Sequence, residues 1–364
     1  MKKKRTNPYK EANEAFLAEK AKEEGIVALT RMHEGDKWEV YIPAKWGIRH
    51  HEDGRYTGAQ HAHLHSPADQ DRTLDITFME TYQIIELAEW QQVGEGGNGK
   101  TYVNPSAPGE ILKVNNARLS TLKAVQHEYD VSKAVEGLGI SVPQVFHIVR
   151  VGDAYATISQ LIKDKKSLSR ICHDEPEHTE EMARLLCQKG KELFATPCNT
   201  DFFPSRKKQL LWAIDHSTFV SKKNRKLIRA FAETIPEKTT CVHGDFQPGN
   251  IIQSGDYYYW IDLDRFAYGD PMFDIGHLFQ ICKVYAPMKR VQEIFHMTQE
   301  QFGRFWDAFA KEYTGKEDHS EFDNLAGKFA CLDVIVRTYF VKPTFLEKLF
   351  FGTYVRKLVK EYYL

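Results

Sequence analysis

The stretch GEGGNGKT at residues 94–101 has the composition and spacing of a loop that binds phosphate. As Gly94-x4-Gly99-Lys100-Thr101 it fits a Walker A loop, in which backbone amides cradle phosphates, the lysine reaches them and the threonine holds magnesium. As Gly94-x-Gly96-x-x-Gly99 it fits the glycine-rich loop of a kinase, in which a β-hairpin covers the nucleotide. The two patterns require different folds, so the elements around the loop decide between them.

The residues that follow the glycines favour the hairpin. A Walker A loop leads into a helix, because the helix N-terminus completes the anion site. Here Thr101 is followed by Tyr-Val, which is typical of a strand, and then by the turn-forming run NPSAPG, whose two prolines exclude a regular helix. The sequence therefore predicts the kinase-type arrangement.

A kinase-type loop needs a lysine on a following strand for the α- and β-phosphates, and a glutamate on a nearby helix that holds this lysine. Lys113 lies in the strand-like run EILKV. The segment STLKAVQHEYDVSKAVEGLG reads as a helix that is capped by Ser120, carries Glu128 and ends near Gly137. The predicted nucleotide-binding residues are therefore Gly94, Gly96, Gly97, Gly99, Lys113 and Glu128.

Three further motifs follow in order: HGDFQPGN at residues 243–250, ID at 261–262 and GDPMFD at 269–274. Together with the loop, the lysine and the glutamate, they resemble the aminoglycoside phosphotransferase and choline kinase family, which shares its core fold with protein kinases. The resemblance covers residues 90 to about 280. It implies an α+β, bilobal, protein-kinase-like fold with a sheet-rich small lobe and a helical large lobe.

The same resemblance implies a role for each motif residue, and the side-chain chemistry fits these roles. Asp245 would be the catalytic residue, whose carboxylate accepts the proton of a substrate hydroxyl. A strand pair formed by NIIQ and YYYWID would bring Asp262 back beside Asn250. These two residues would bind magnesium, because a few hard oxygen ligands suit Mg²⁺ on a nucleotide. The expected cofactors are ATP and Mg²⁺.

Three neighbouring residues are expected to act on the loop rather than on the substrate, and a fourth, Asp264, is not assigned to the loop. By resemblance, His243 orients the catalytic loop, while Asp270 and Asp274 brace it through hydrogen bonds to backbone amides. Asp264 is expected to face solvent or make a structural hydrogen bond, with assistance in metal binding as the alternative.

The predicted organisation has three parts: residues 1–88 form a small N-terminal α/β module, 89–163 the small lobe and 164–364 the large lobe. ATP is expected between the lobes, with its adenine against the connector at 160–163. In the N-terminal module, residues 8–24 are typical of a charged helix, whereas 32–48 and 74–87 resemble the last strands of an FKBP-type isomerase. Because the front half of that domain is missing, the segment is expected to be a packing or dimerisation element without isomerase activity.

His61, His63 and His65 lie in a polar insert of the N-terminal module. On a strand, these alternate residues would project from one face and could bind zinc or nickel. No cysteine or acidic cluster completes such a site, so the sequence favours a flexible polar loop.

Bulk properties exclude several classes of protein. The 364-residue chain has 49 Lys and Arg against 50 Asp and Glu, so its net charge favours neither nucleic acid nor an anionic membrane as a partner. It lacks a secretory signal and any apolar run near the about 18 residues that span a bilayer, which predicts a soluble, cytoplasmic protein. The six scattered cysteines suit reduced thiols.

The sequence thus predicts an ATP-dependent phosphotransferase with a small hydroxylated molecule as acceptor and partner. Only a few residues separate Asp262-Leu263-Asp264 from Gly269-Asp270-Pro271, which leaves no room for the peptide platform of a protein kinase. A protein kinase is nevertheless one alternative. The other is a catalytically silent scaffold that binds proteins, although none of the motif residues is missing.

Overall fold

The computed structural model describes the backbone of residues 26–33, 36–43, 49–50, 56–57, 61–66, 69–75, 82–96, 99–116, 119–340 and 343–364. It forms two compact units. The first comprises Met1–Tyr129 and Val145–Gln160, and the second comprises Asp130–Gln144 and Leu161–Leu364. The first unit is rich in strands and the second in helices, which agrees with the predicted α+β class.

The first unit contains a five-stranded antiparallel sheet in the order β10-β11-β9-β8-β7. Its strands are β7 (Gln91–Gly96), β8 (Gly99–Val103), β9 (Glu110–Asn115), β10 (Val145–Val151) and β11 (Ala154–Gln160). Gly96 pairs with Gly99 across the β7–β8 turn. The predicted hairpin is therefore confirmed, and no helix follows Thr101.

A helix, α1 (Leu122–Gly137), follows this sheet's third strand. It ends where the sequence predicted, but the predicted cap at Ser120 was wrong. The Thr121 hydroxyl accepts a hydrogen bond from the Ala124 amide at 3.3 Å, whereas Ser120 is buried and its carbonyl accepts from Tyr155. Both residue types can cap a helix, and strand contacts decide which one does.

Up to residue 75, the described part of the N-terminal module is strand backbone: β1 (Ile26–His33), β2 (Asp36–Pro43), β3 (Arg49–His50), β4 (Tyr56–Thr57), β5 (His61–Ser66) and β6 (Asp69–Asp75). β5 and β6 form an antiparallel hairpin, so the favoured assignment of the histidine-rich insert to a flexible loop was wrong for this stretch. The predicted helix at residues 8–24 lies outside the described residues, as do the histidine side chains of β5.

The second unit is mainly helical. Its helices are α2 (Leu168–Asp174), α3 (Thr179–Ala195), α4 (Arg206–His216), α5 (Lys222–Thr234), α6 (Met272–Phe279), a π-helix (Gln280–Tyr285), α7 (Lys289–Phe295), α8 (Gln299–Thr314), α9 (Ser320–Phe340) and α10 (Phe345–Tyr362). Its short strands are β12 (Lys166–Ser167), β13 (Cys241–Val242), β14 (Ile251–Ser254), β15 (Tyr257–Trp260) and β16 (Ala267–Tyr268). Within the described ranges, no helix is long and apolar enough to cross a bilayer, and all six cysteines are free.

A single aromatic-rich core fills the helical unit, and its largest fully buried side chains include Phe246, Phe302, Phe305, Trp306 and Phe309. Against this core, α6 packs closely on α9. A Cβ atom placed on Gly276 of α6 would lie 2.4 Å from Cβ of Phe329 and 2.7 Å from its carbonyl carbon. Only glycine fits this contact, because the obstacle includes backbone atoms.

We expect Gly276→Ala to destabilise the helical unit by about 1–3 kcal/mol, the usual cost of overpacking a filled core. Chemical denaturation would measure the loss. Gly303→Ala on α8 is the matched control, since outside its neighbours and its own helix backbone no atom lies within 4 Å of the added methyl group, and alanine is the better helix former. Equal stability of the two variants would contradict the close packing of α6 on α9.

Candidate active site

Asp245 lies in the loop between β13 and β14. The backbone of this loop is hydrogen-bonded to the carboxylate of Asp274 on α6. One carboxylate oxygen of Asp274 accepts from the amide of His243 at 2.6 Å, and the other accepts from Gly244 at 2.8 Å. Gly244 has φ +81°, and a Cβ there would lie 2.2 Å from the carbonyl oxygen of Arg265. The loop therefore needs both a buried carboxylate and a glycine to present Asp245.

His243 links the loop to the strand pair beyond it. Its Nδ1 accepts from the amide of Asp245 at 3.3 Å, and its Nε2 lies 3.0 Å from the carbonyl oxygen of Ile261. Burial lowers the pKa of His243 to about 4, so the ring is neutral at physiological pH, with the proton on Nε2 donated to Ile261. These contacts are those expected of a residue that orients the loop.

Asn250 fixes the carboxylate of Asp245. Its Nδ2 donates to the carbonyl oxygen of Asp245 and to Oδ2 of the same residue, both at 2.8 Å. The β14–β15 pair brings the chain back, since the amide of Ile261 donates to the carbonyl of Asn250 at 3.0 Å. Asp262 follows directly and has φ +58°, a backbone conformation that aspartate tolerates better than most residues.

The donor set at Asn250 and Asp262 fits a hard divalent cation. Because Nδ2 of Asn250 donates both of its contacts to Asp245, Oδ1 is the atom left to bind a metal. Asp262 adds a carboxylate. Among the described residues, no cluster of three or more His, Cys, Asp or Glu side chains forms a complete metal cage. Two oxygen donors suit Mg²⁺, which usually takes its other ligands from water and substrate phosphates.

The other two aspartates of this region, Asp270 and Asp264, have surroundings different from those of Asp274. Asp270 does accept from a backbone amide, but the donor is Met272 at the start of α6, at 2.9 Å, and its other oxygen pairs with Lys238 at 2.9 Å. The expectation that Asp270 bonds to the catalytic loop was therefore wrong. The Asp264 side chain is 72% exposed, as the solvent-facing expectation required.

In the sheet unit, Lys113 of β9 and Glu128 of α1 form the expected pair, with Nζ 2.7 Å from Oε1. Asn115 donates to the other carboxylate oxygen of Glu128 at 3.1 Å. The hairpin packs tightly at two glycines: a Cβ on Gly94 would lie 2.7 Å from Oγ1 of Thr101, and one on Gly99 would lie 2.3 Å from the carbonyl oxygen of Val114. Gly96 ends β7, and Gly97 lies outside the described residues.

Sequence reasoning missed two buried residues near Asp245, namely His277 and Asp333, and their half-buried partner Arg337. Nε2 of His277 on α6 is 2.9 Å from Oδ1 of Asp245, and Nδ1 is 3.0 Å from Oδ2 of Asp333 on α9. Arg337 donates to the same oxygen of Asp333 at 3.3 Å. The contact at Nε2 is too bent for a regular hydrogen bond and is better described as an ion pair. The one available signal was that His277 follows Asp274 by three residues, on the same face of a helix.

These contacts set the charge of each group. Burial opposes the charged form of His277, but the carboxylates of Asp333 and Asp245 outweigh it and raise the pKa of His277 to about 9. Burial alone would raise the pKa of Asp245, yet the contact with His277 and its charge hold that pKa well below the usual range. The pKa of Asp333 is likewise held low, against burial, by His277 and Arg337. Asp245 is therefore ionised at neutral pH.

A model of the family described as "Phosphotransferase enzyme family" matches residues 89–311. No curated protein matched the sequence. The family match begins at residue 89, and no comparison supports the isomerase-like resemblance of the preceding segment.

Among solved structures, the apo form of a thermostable mutant of the aminoglycoside phosphotransferase APH(4)-Ia aligns with 15% identity and a TM-score of 0.50, over 75% of this chain and 94% of that one. A ternary complex of such a mutant with AMP-PNP and hygromycin B aligns with 15% identity and a TM-score of 0.50, over 75% and 93%. A choline/ethanolamine kinase family protein from Mesorhizobium loti aligns with 11% identity and a TM-score of 0.48, over 74% and 88%. The two alignments to APH(4)-Ia confirm the predicted fold class.

Proposed function

Because the chain belongs to the phosphotransferase enzyme family, we propose that it transfers the γ-phosphate of ATP to a hydroxyl group of a small molecule, such as an aminoglycoside, a sugar or an amino alcohol. The observation that carries the proposal is the carboxylate of Asp245, which is ionised and fixed at both oxygens, by Asn250 and by His277. An ionised carboxylate held in one orientation can accept a hydrogen bond from an acceptor hydroxyl and position it for attack.

In the proposed reaction, the acceptor hydroxyl forms a hydrogen bond to Asp245 and its oxygen attacks the γ-phosphorus. The new P–O bond forms, the bond to the β–γ bridging oxygen breaks, ADP leaves and the hydroxyl proton passes to Asp245. The products are a phosphate monoester and ADP. Lys113, held by Glu128, neutralises charge on the phosphates, and the hairpin at Gly94, Gly96, Gly97 and Gly99 covers them.

Asn250 and Asp262 would hold Mg²⁺ through their oxygen atoms. When bound, the ion neutralises negative charge on the phosphates and orients them. The protein fixes the two side chains that would bind the ion. The amide of Asn250 is held in one orientation because it donates to Asp245, and the β14–β15 pair fixes the position of Asp262.

A small acceptor is favoured over a protein by the short segment between Asp262 and α6. Within it, β16 pairs with β13, and Asp270 binds the start of α6. Protein kinases place a long activation segment here as a platform for peptides. The few residues available are already engaged in the β13–β16 pair and at the start of α6, which argues against the protein kinase alternative.

The alternative of a silent scaffold is disfavoured by the complete set of expected residues: the lysine–glutamate pair is formed, and the base and both metal-binding residues are present. For the remaining parts of the chain, we propose that residues 1–88 form an added module for packing or dimerisation. We assign 89–163 to the small lobe and 164–364 to the large lobe.

Two measurements test this function with the full chain. Binding of ATP with Mg²⁺ should raise the thermal unfolding midpoint, by linkage between binding and stability. ADP release should then appear with members of a panel of aminoglycosides, sugars, amino alcohols and nucleosides, and not with a mixed panel of proteins. Transfer to proteins alone would overturn the assignment in favour of a protein kinase, and the absence of nucleotide binding would favour the scaffold.

We further expect Lys113→Ala to weaken the affinity for Mg²⁺-ATP about tenfold or more, because a charged hydrogen bond contributes about 1.5–3 kcal/mol. Isothermal titration calorimetry would measure the change. Lys100→Ala is the control, since Lys100 is the lysine of the rejected Walker A pattern and lies exposed on the adjacent strand. A larger loss for Lys100→Ala than for Lys113→Ala would reverse this choice of lysine.

A further inference from the structure

Both ring nitrogens of His277 face carboxylate oxygens, one of Asp245 and one of Asp333. A neutral imidazole has one N–H group, so in that form one nitrogen would direct its lone pair at a carboxylate. The imidazolium form has a proton on each nitrogen, so its Nδ1 can donate to Asp333 while its positive charge pairs with the Asp245 carboxylate at Nε2. The geometry therefore favours a positive charge on His277, although the ring is buried.

The fold places this histidine by close helix packing. Gly276 lets α6 approach the backbone of α9 at Phe329 and Ala330, and the next residue, His277, then reaches Asp333 one turn further along α9. Asp333 is buried and has a second partner in Arg337. A buried charge is tolerated when it is paired and hydrogen-bonded, and this chain of alternating charges meets that condition.

Charged and titratable groups act on His277 from three directions. They are Asp245 and His243 from the catalytic loop, Asp274 from α6 itself, and Asp333 with its partner Arg337 from α9. The two carboxylates in direct contact dominate, and they overcome burial to raise the pKa of His277 to about 9. The ring thus stays charged throughout the physiological pH range.

We propose that His277, kept in its charged form by Asp333, is a positioning residue that clamps Oδ1 of Asp245 for phosphoryl transfer. Asn250 holds Oδ2, so the carboxylate is fixed at both ends and presents its remaining lone pairs to the acceptor hydroxyl. The role as a clamp rests on the proposed function, whereas the charge on His277 does not.

The clamp has a consequence for the chemistry. A carboxylate with a lowered pKa is a weak base, and it is suited to a reaction in which the hydroxyl proton is transferred late. Phosphoryl transfer passes through a loose transition state, in which catalysis depends mainly on positioning and charge. Orientation of Asp245, more than its basicity, is what His277 and Asp333 would supply.

The charge on His277 can be observed directly by ¹⁵N NMR of the full chain labelled at histidine, with the His277 signals identified by their loss in His277→Gln. In the wild type we expect both ring nitrogens to stay protonated up to pH 8 and to titrate near pH 9. In Asp333→Asn the pKa of His277 should fall toward the ordinary histidine range, because Asp245 alone then opposes the effect of burial. A neutral His277 ring at pH 7.5 in the wild type would overturn the proposal even if Asp333→Asn failed to fold.

Turnover separates a clamp from a structural role. Once an acceptor is found, Asp333→Asn and His277→Gln should each lower kcat about 10–100-fold, the range known for misplaced or unsupported catalytic groups, with KM for ATP unchanged. His319→Gln is the control, because it removes a similar His–Asp pair, in which His319 lies 2.9 Å from Asp323, and Asp323 lies about 15 Å from Asp333 along α9. Unchanged kcat in both variants would refute the clamp.

The two experiments fail separately. If no acceptor is phosphorylated and Mg²⁺-ATP does not bind, the proposed function fails while the NMR result still reports the charge on His277. If ATP binds and phosphate is transferred but His277 is neutral, the clamp alone is wrong.

Discussion

Replacing Asp245 with Asn should lower phosphoryl transfer by about 10²–10⁴-fold, the usual contribution of a general base. Asparagine has nearly the same shape and keeps one oxygen to accept from Asn250, while its NH2 group replaces the oxygen that faces His277. Affinity for ATP should therefore change little. The result is measured as kcat for ADP release beside the Kd for Mg²⁺-ATP.

Asp256→Asn provides the matched control for this substitution, because Asp256 is an exposed aspartate in the β14–β15 turn and its charge has no part in the proposed reaction. It should leave both kcat and Kd unchanged. If Asp245→Asn lost nucleotide binding in proportion to turnover, Asp245 would be a structural residue.

Asp262→Asn should abolish the dependence of ATP affinity on magnesium and lower turnover by about 10²-fold or more, the scale for loss of one electrostatic contact to the reacting group. Asparagine is the suitable replacement, since it also tolerates the φ of +58° that this position adopts. The fold should be retained while the metal-binding charge is lost.

The experiment measures the effect of magnesium on ATP affinity separately in the wild type and in the variant. ATP affinity is titrated by calorimetry with and without Mg²⁺, for the wild type and for Asp262→Asn. Magnesium should strengthen binding to the wild type and have little effect on the variant, while the two proteins bind metal-free ATP equally. A full magnesium response in Asp262→Asn would place the metal elsewhere.

Local patterns were enough to predict the hairpin at residues 91–103 and the pairing of Lys113 with Glu128. Two prolines after Thr101 exclude a helix whatever the rest of the chain does, and the Lys113–Glu128 pair follows from the order of loop, lysine and glutamate that a kinase-type site requires. The predictions that were wrong concern side chains for which the sequence offers two or more possible hydrogen-bond partners. Ser120 and Thr121 are both suitable caps, and Asp270 had a choice of backbone amides, so packing selected between them.

The sequence by itself determined the order of the motif residues and the strand pair that returns Asp262 to Asn250, because residues a few positions apart are related by the geometry of one turn or one strand pair. Only the tertiary structure showed which residues support Asp245, namely His277 and its partner Asp333. His277 and Asp333 are 56 positions apart and meet because Gly276 lets two helices approach. Such a contact depends on how side chains fill the core between separate elements, and no spacing along the chain encodes it.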